Sequence, residues 1–194
     1  MKLSSRAGRR LAAAIALACS SILLPAAALA ASAASGTPAH RATAAVPRCH
    51  GLLAGRGIEV WLGLPGSGAA GTVYYELEFS NVGLETCTLR GFARAVAVNG
   101  NGHQVGQPAA HAPQTPPLVT LRPGATAHVV LSVGDAGAIC PQPGQQVTGE
   151  LTVYPPGQAL GQKVELSVRV CRHRSSMGVL PVRSGTGIPE YTHR

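Results

Sequence analysis

The chain has 194 residues, of which 45% are hydrophobic and only 4% aromatic, and its formal net charge is +8. Four of its 16 basic residues fall within residues 1–30, where there is no acidic residue, so the rest of the chain carries about +4. That mild, scattered charge excludes the dense basic stripe of a nucleic-acid binder.

The chain opens with Lys2, Arg6, Arg9 and Arg10, then runs through "LAAAIALACSSILLPAAALA" to Ala28-Leu29-Ala30. A charged start, an apolar middle and a small-x-small exit predict a secretory signal peptide over 1–30. Arg9-Arg10 also suggests twin-arginine export, on a weak match around it. Cys19 offers an alternative, a cell-envelope lipoprotein, although Leu17 in "ALAC" sits one place too late for a lipid-attachment box. After the signal no apolar run is long enough to span a membrane, so no span is expected in the mature chain. Residues 31–47, "ASAASGTPAHRATAAVP", are rich in Ala, Ser, Thr and Pro without apolar period. They are expected to be a flexible linker. Residues 48–186 are enough for one domain, and 187–194 are expected to be a tail.

The domain reads as strands. "RGIEVWL" sets Ile58, Val60 and Leu62 on one face. "TVYYELEFS" sets Val73, Tyr75, Leu77 and Phe79 against Tyr74, Glu76, Glu78 and Ser80, a period of two that marks a half-buried strand. "RAVAVN", "ATAHVVLSVG", "QVTGELTVY", "KVELSVRV" and "MGVLPV" extend the series. "NGNG" at 99–102 and "RPGA" at 122–125 carry turn chemistry, and "QPAAHAPQTPP" at 107–117 reads as a Pro-rich loop or edge crossing. No later segment shows a helical period with caps. The expected fold is all-β, an immunoglobulin-like antiparallel β-sandwich.

Beyond the signal the chain has Cys49, Cys87, Cys140 and Cys171. An even count in an exported chain predicts disulfides. Spacing alone does not select among three connectivities; we favour the sequence neighbours, Cys49–Cys87 and Cys140–Cys171. Zinc would want cysteines two to four residues apart, and no two are that close. A nucleophilic cysteine would need a partner histidine that nothing in the sequence places.

Certain motifs recur as a set. Asn81-Val82-Gly83 leads to Cys87-Thr88-Leu89 and Gly91-Phe92, and Leu121, Pro123, Gly124 and Ala127 follow. This set resembles the secreted actinobacterial family called domain of unknown function 4232, over most of 49–184. Ala93 stands where that family often has Pro. The resemblance implies an exported or lipid-anchored β-sandwich with two disulfides, and it implies no activity. Asn81 and Gly83 read as turn residues; Gly91 reads as a close backbone approach and Phe92 as core.

Catalytic signals are thin. "GSGAAG" at 66–71 matches a dinucleotide-binding pattern, but a strand follows it where a phosphate-binding helix is needed. It is expected to be a hairpin loop. Glu76 and Glu78 share one strand face, expected to be exposed; paired carboxylates of this kind are the basis of an alternative reading as a small hydrolase. His103, His111 and His128, around the Pro-rich loop and on a polar strand face, are the basis of a second alternative, a histidine-based extracytoplasmic metal-binding protein. Trp61 and Tyr74 are thin support for carbohydrate binding, while Tyr74, Glu76 and Glu78 suit a protein-binding face. The leading expectation is a secreted, monomeric, non-enzymatic binding or interaction module, without cofactor or metal. Its partner would be a protein or an envelope polymer.

Overall fold

The computed structural model describes residues 45–64 and 66–187. The expected signal peptide with its Cys19 alternative, the linker up to residue 44 and the tail beyond Gly187 lie outside the described residues. In chain order the strands begin with β1 (Ile58–Leu62), β2 (Ser67–Ala69), β3 (Thr72–Asn81), β4 (Cys87–Arg90) and β5 (Arg94–Val98). Four short or middle strands follow: β6 (Gln104–Val105), β7 (Ala110–His111), β8 (Leu118–Leu121) and β9 (Thr126–Gly134). After one turn of helix, α1 (Ala136–Ile139), come β10 (Gln146–Tyr154), β11 (Gln162–Cys171), β12 (Met177–Val179) and β13 (Arg183–Ser184).

These make a sandwich-like all-β fold. The largest sheet runs β1-β3-β9-β12-β7; β2 also pairs with β3, and β13 with β9. A second sheet runs β11-β10-β5-β6, and β4 pairs with β8. The period of two in the sequence is what closes the core. Leu77 and Phe79 of β3, Val129 and Leu131 of β9, Leu151 and Val153 of β10, and Val168 and Val170 of β11 all point inward and are buried together. Burying a side chain of this size contributes roughly 1.5–3 kcal/mol. Among the described residues the pairings between these strands are antiparallel except β7 with β12, which forms inside the Pro-rich segment and so makes it an edge.

Both favoured disulfides are present. Cys49–Cys87 and Cys140–Cys171 have Cα–Cα separations of 4.8 and 6.1 Å and close spans of 38 and 31 residues. Loops of this length correspond to about 4 kcal/mol each in the chain-entropy account. Around the first bridge the chain opening is stitched to β4: Cys49 N donates to Thr88 O at 2.9 Å and Thr88 N to Pro47 O at 2.8 Å. The expected turns also form. Asn99 Oδ1 accepts from the backbone N of Asn101 and His103, and Ala125 N closes the Arg122–Ala125 turn.

Three local details differ from the sequence reading. A single helical turn, α1, follows Asp135, whose side chain caps it by accepting from Gly137 N at 2.8 Å; four residues are too few to show a helical period. Gly91 is needed for its φ of +126° rather than for close approach, because an added Cβ would meet only Pro156 at an ordinary 3.6 Å. Phe92 packs at the core margin and stacks on His111 at 4.4 Å.

Candidate functional site

The outward face of the large sheet carries the most unusual chemistry. Register places Trp61 of β1 opposite Glu78 of β3, Glu78 opposite His128 of β9, and His128 opposite Arg183 of β13. One row of side chains thus crosses four strands: an indole, a carboxyl, an imidazole and a guanidinium. Glu76 sits two residues from Glu78, on the same face, and Tyr74 two further on, 42% exposed. Beside the row, Trp61 Nε1 donates to Ser80 Oγ at 2.9 Å, and Ser80 Oγ is 3.0 Å from Thr126 Oγ1.

Glu76 and Glu78 were expected on an open, solvated face; the fold corrects this. Glu78 is 0% exposed and Glu76 is half-buried. The cause is the chain that follows β13. It crosses over this face, with Gly185 O accepting from His128 Nδ1 at 2.9 Å and Gly187 N donating to Glu78 Oε1 at 2.8 Å. Gly187 lies so close to Glu76 that an added Cβ would stand 2.3 Å from its Oε2. The Oε2 atoms of both glutamates are buried without a hydrogen-bond partner. Burial pushes both carboxyls above their ordinary value of 4.5, and the nearby His128 only partly offsets this. For Glu78 the Gly187 amide also pulls downward, while the neighbouring Glu76 charge pushes up.

The other sequence candidates are not brought together. His111 is held against Phe92, His128 is engaged by Gly185, and His103 sits in the β5–β6 turn. Among the described residues no group of three or more His, Cys, Asp or Glu is placed to hold a metal ion. "GSGAAG" forms β2 and a tight turn at Ala70 and Gly71, both with positive φ. The depression of about 570 Å³ beside it is bounded by Asp135 and Ser167 and has no long helix at its rim.

Two glutamines escaped the sequence reading. Gln162 accepts from Val60 N at 3.0 Å and donates to Ile58 O at 2.7 Å. Gln158 accepts from Gly51 N at 2.7 Å and donates to Cys49 O. The Gln162 amide imitates a neighbouring strand along the edge of β1, which is one way an edge is kept from pairing with another chain, and the Gln158 amide does the same for the segment Cys49–Gly51 before it. The only sequence signal was their position in and after the "PPGQ" turn, which says nothing of a target about 100 residues away.

Two disulfides suit an oxidising, extracellular environment. Among the described residues no helix is long and apolar enough to cross a membrane. No curated protein and no solved structure matches the chain. The model of one family matches residues 56–183, from just before β1 to the start of β13, and the chain belongs to that family, the domain of unknown function DUF4232.

Proposed function

We propose that the protein is an exported, non-enzymatic binding module whose recognition surface is the outward face of the large sheet, around Tyr74, Glu76 and Glu78. The observation that carries this reading is a pair of carboxyls held in place on a rigid sheet with one acceptor oxygen each left unmet. Buried polar groups are nearly always partnered, so an exception calls for an explanation, and a binding partner supplies one. Exposed Tyr74 beside them provides flat apolar contact of the kind enriched at interfaces. The two bridges and the signal-like start are consistent with work outside the cytoplasm, on a protein or an envelope polymer.

A hydrolase using Glu76 and Glu78 is less well supported. Acid–base pairs work when their environments drive the two pKa values apart, whereas burial pushes both of these upward. The test is capture from isolated cell-envelope fractions by the immobilised protein, compared with the Tyr74→Ala and Glu76→Gln variants. Saturable capture that both changes weaken supports the reading. Capture indifferent to both, or substrate turnover abolished by Glu76→Gln, overturns it.

A further inference from the structure

Gly185–Gly187 covers a site that it does not satisfy. Gly185 is anchored to β9 by its N donating to Thr126 O at 3.0 Å and its O accepting from His128 Nδ1 at 2.9 Å, while over the glutamates Gly187 N donates to Glu78 Oε1 at 2.8 Å. In exchange the crossing shuts two carboxylate oxygens away from water without partners, and an unmet buried acceptor is costly, more so when charged. The approach is nevertheless close, because a Cβ at 187 would make the Glu76 carboxyl move aside. The contact therefore fits sterically but falls short of satisfying the polar atoms it covers. Such a contact is displaced by any group that meets those oxygens better.

We infer that Gly185–Gly187 is a displaceable strap over an acidic site that takes a guanidinium group, such as an arginine side chain of a partner. This rests on the recognition surface proposed above and names the chemistry it reads. Glu76 and Glu78 project from one strand face at a two-residue spacing, which puts two acceptors within the reach of one planar, five-donor fork. Trp61 lies opposite Glu78 in the register, so an aromatic wall of the kind cations favour borders the site. Among the described residues no set of metal ligands competes for the same place.

The strap should also respond to pH. The groups around the glutamates are His128 on β9, Arg183 beside it on β13, Trp61 on β1 and, one row along, Glu59 opposite Ser80. As the pH rises, the buried carboxyls lose their protons and the two charges shut beneath the strap repel each other, which favours opening.

The measurement is the amide-exchange protection factor at Gly187, by NMR on the full chain. Protection about tenfold or more lower at pH 8 than at pH 5 is expected, with Glu78→Gln removing most of that difference. Adding the short peptide acetyl-Arg-Gly-Arg-amide should lower protection at Gly187 and shift the Glu76 and Glu78 carboxyl carbons. Equal protection at both pH values, or no response to the peptide, overturns the inference. In that case, envelope capture that still depends on Tyr74 and Glu76 leaves the recognition surface standing. Loss of both overturns the two together.

Discussion

Glu78 and Asn81 lie three residues apart on the same strand, and both are sealed from solvent, at 0% and 1% exposure. Asn81 is fully used. Its Nδ2 donates to Glu85 O at 2.8 Å and Leu121 O at 3.1 Å, and its Oδ1 accepts from Gly83 N at 3.0 Å. It ties the end of β3 to the loop before Cys87 and to the end of β8. Glu78 has one bond, from a strap glycine, and one oxygen with none. The same degree of burial therefore accompanies opposite polar satisfaction. Asn81 is what a structural polar residue looks like, and Glu78 is the exception that the proposed recognition role would account for.

The largest test of this contrast is Asn81→Ala. It removes three hydrogen bonds and strands two carbonyls and an amide, so a loss of about 3 kcal/mol in unfolding free energy is expected. Denaturant titration measures it; a loss under about 1 kcal/mol would mean that water replaces the side chain. Asn81→Asp sharpens the point. It keeps the Gly83 bond but loses both donors and sets a negative charge against two carbonyl oxygens. A nearly equal loss at neutral pH, smaller in acid, is expected.

Glu78→Gln should act in the opposite direction and stabilise the fold at neutral pH. Its sign follows from linkage. A carboxyl whose folded pKa is raised binds its proton more tightly in the folded state. Its contribution is fully present below the ordinary value of 4.5 and is lost as the pH rises through the raised value. The variant should therefore melt above the wild type at pH 7, and the gap should close below about pH 4. Thermal scans at the two pH values decide it; a variant that melts lower at pH 7 refutes the assignment. The smallest effect is expected from Trp61→Phe, which loses the bond to Ser80 at the partly buried rim. About 1 kcal/mol is expected, with the pH response of the Glu78 variant unchanged.

Much of the scaffold was legible because its signals are local. The alternation in "TVYYELEFS" is a property of neighbouring residues, and β3 obeys it from Val73 to Phe79. "NGNG" and "RPGA" turn because of what they contain. The cysteine pairing was open among three choices, and the neighbours in sequence do pair. The site was much less legible. Alternation put Glu76 and Glu78 on the outward face correctly, and outward was equated with exposed. What buries Glu78 is Gly187, 109 residues further along the chain, and no pattern around either residue announces the other. The glutamine clamp on β1 was missed for the same reason. Asn81 was read as turn chemistry from its neighbour Gly83, which is half of its role; the bond to Leu121 O, 40 residues away, is the half that only the fold supplies.

The most direct test of the account is a ¹³C-detected NMR titration of the Glu78 side-chain carboxyl in the folded protein. The account predicts a midpoint above the ordinary 4.5, falling back toward it in a chain that ends at Ser184 and so lacks the strap. A midpoint at or below 4.5 in the unaltered protein would mean that Glu78 is solvated or fully partnered, and would contradict the claim that this face holds a buried acid awaiting a partner.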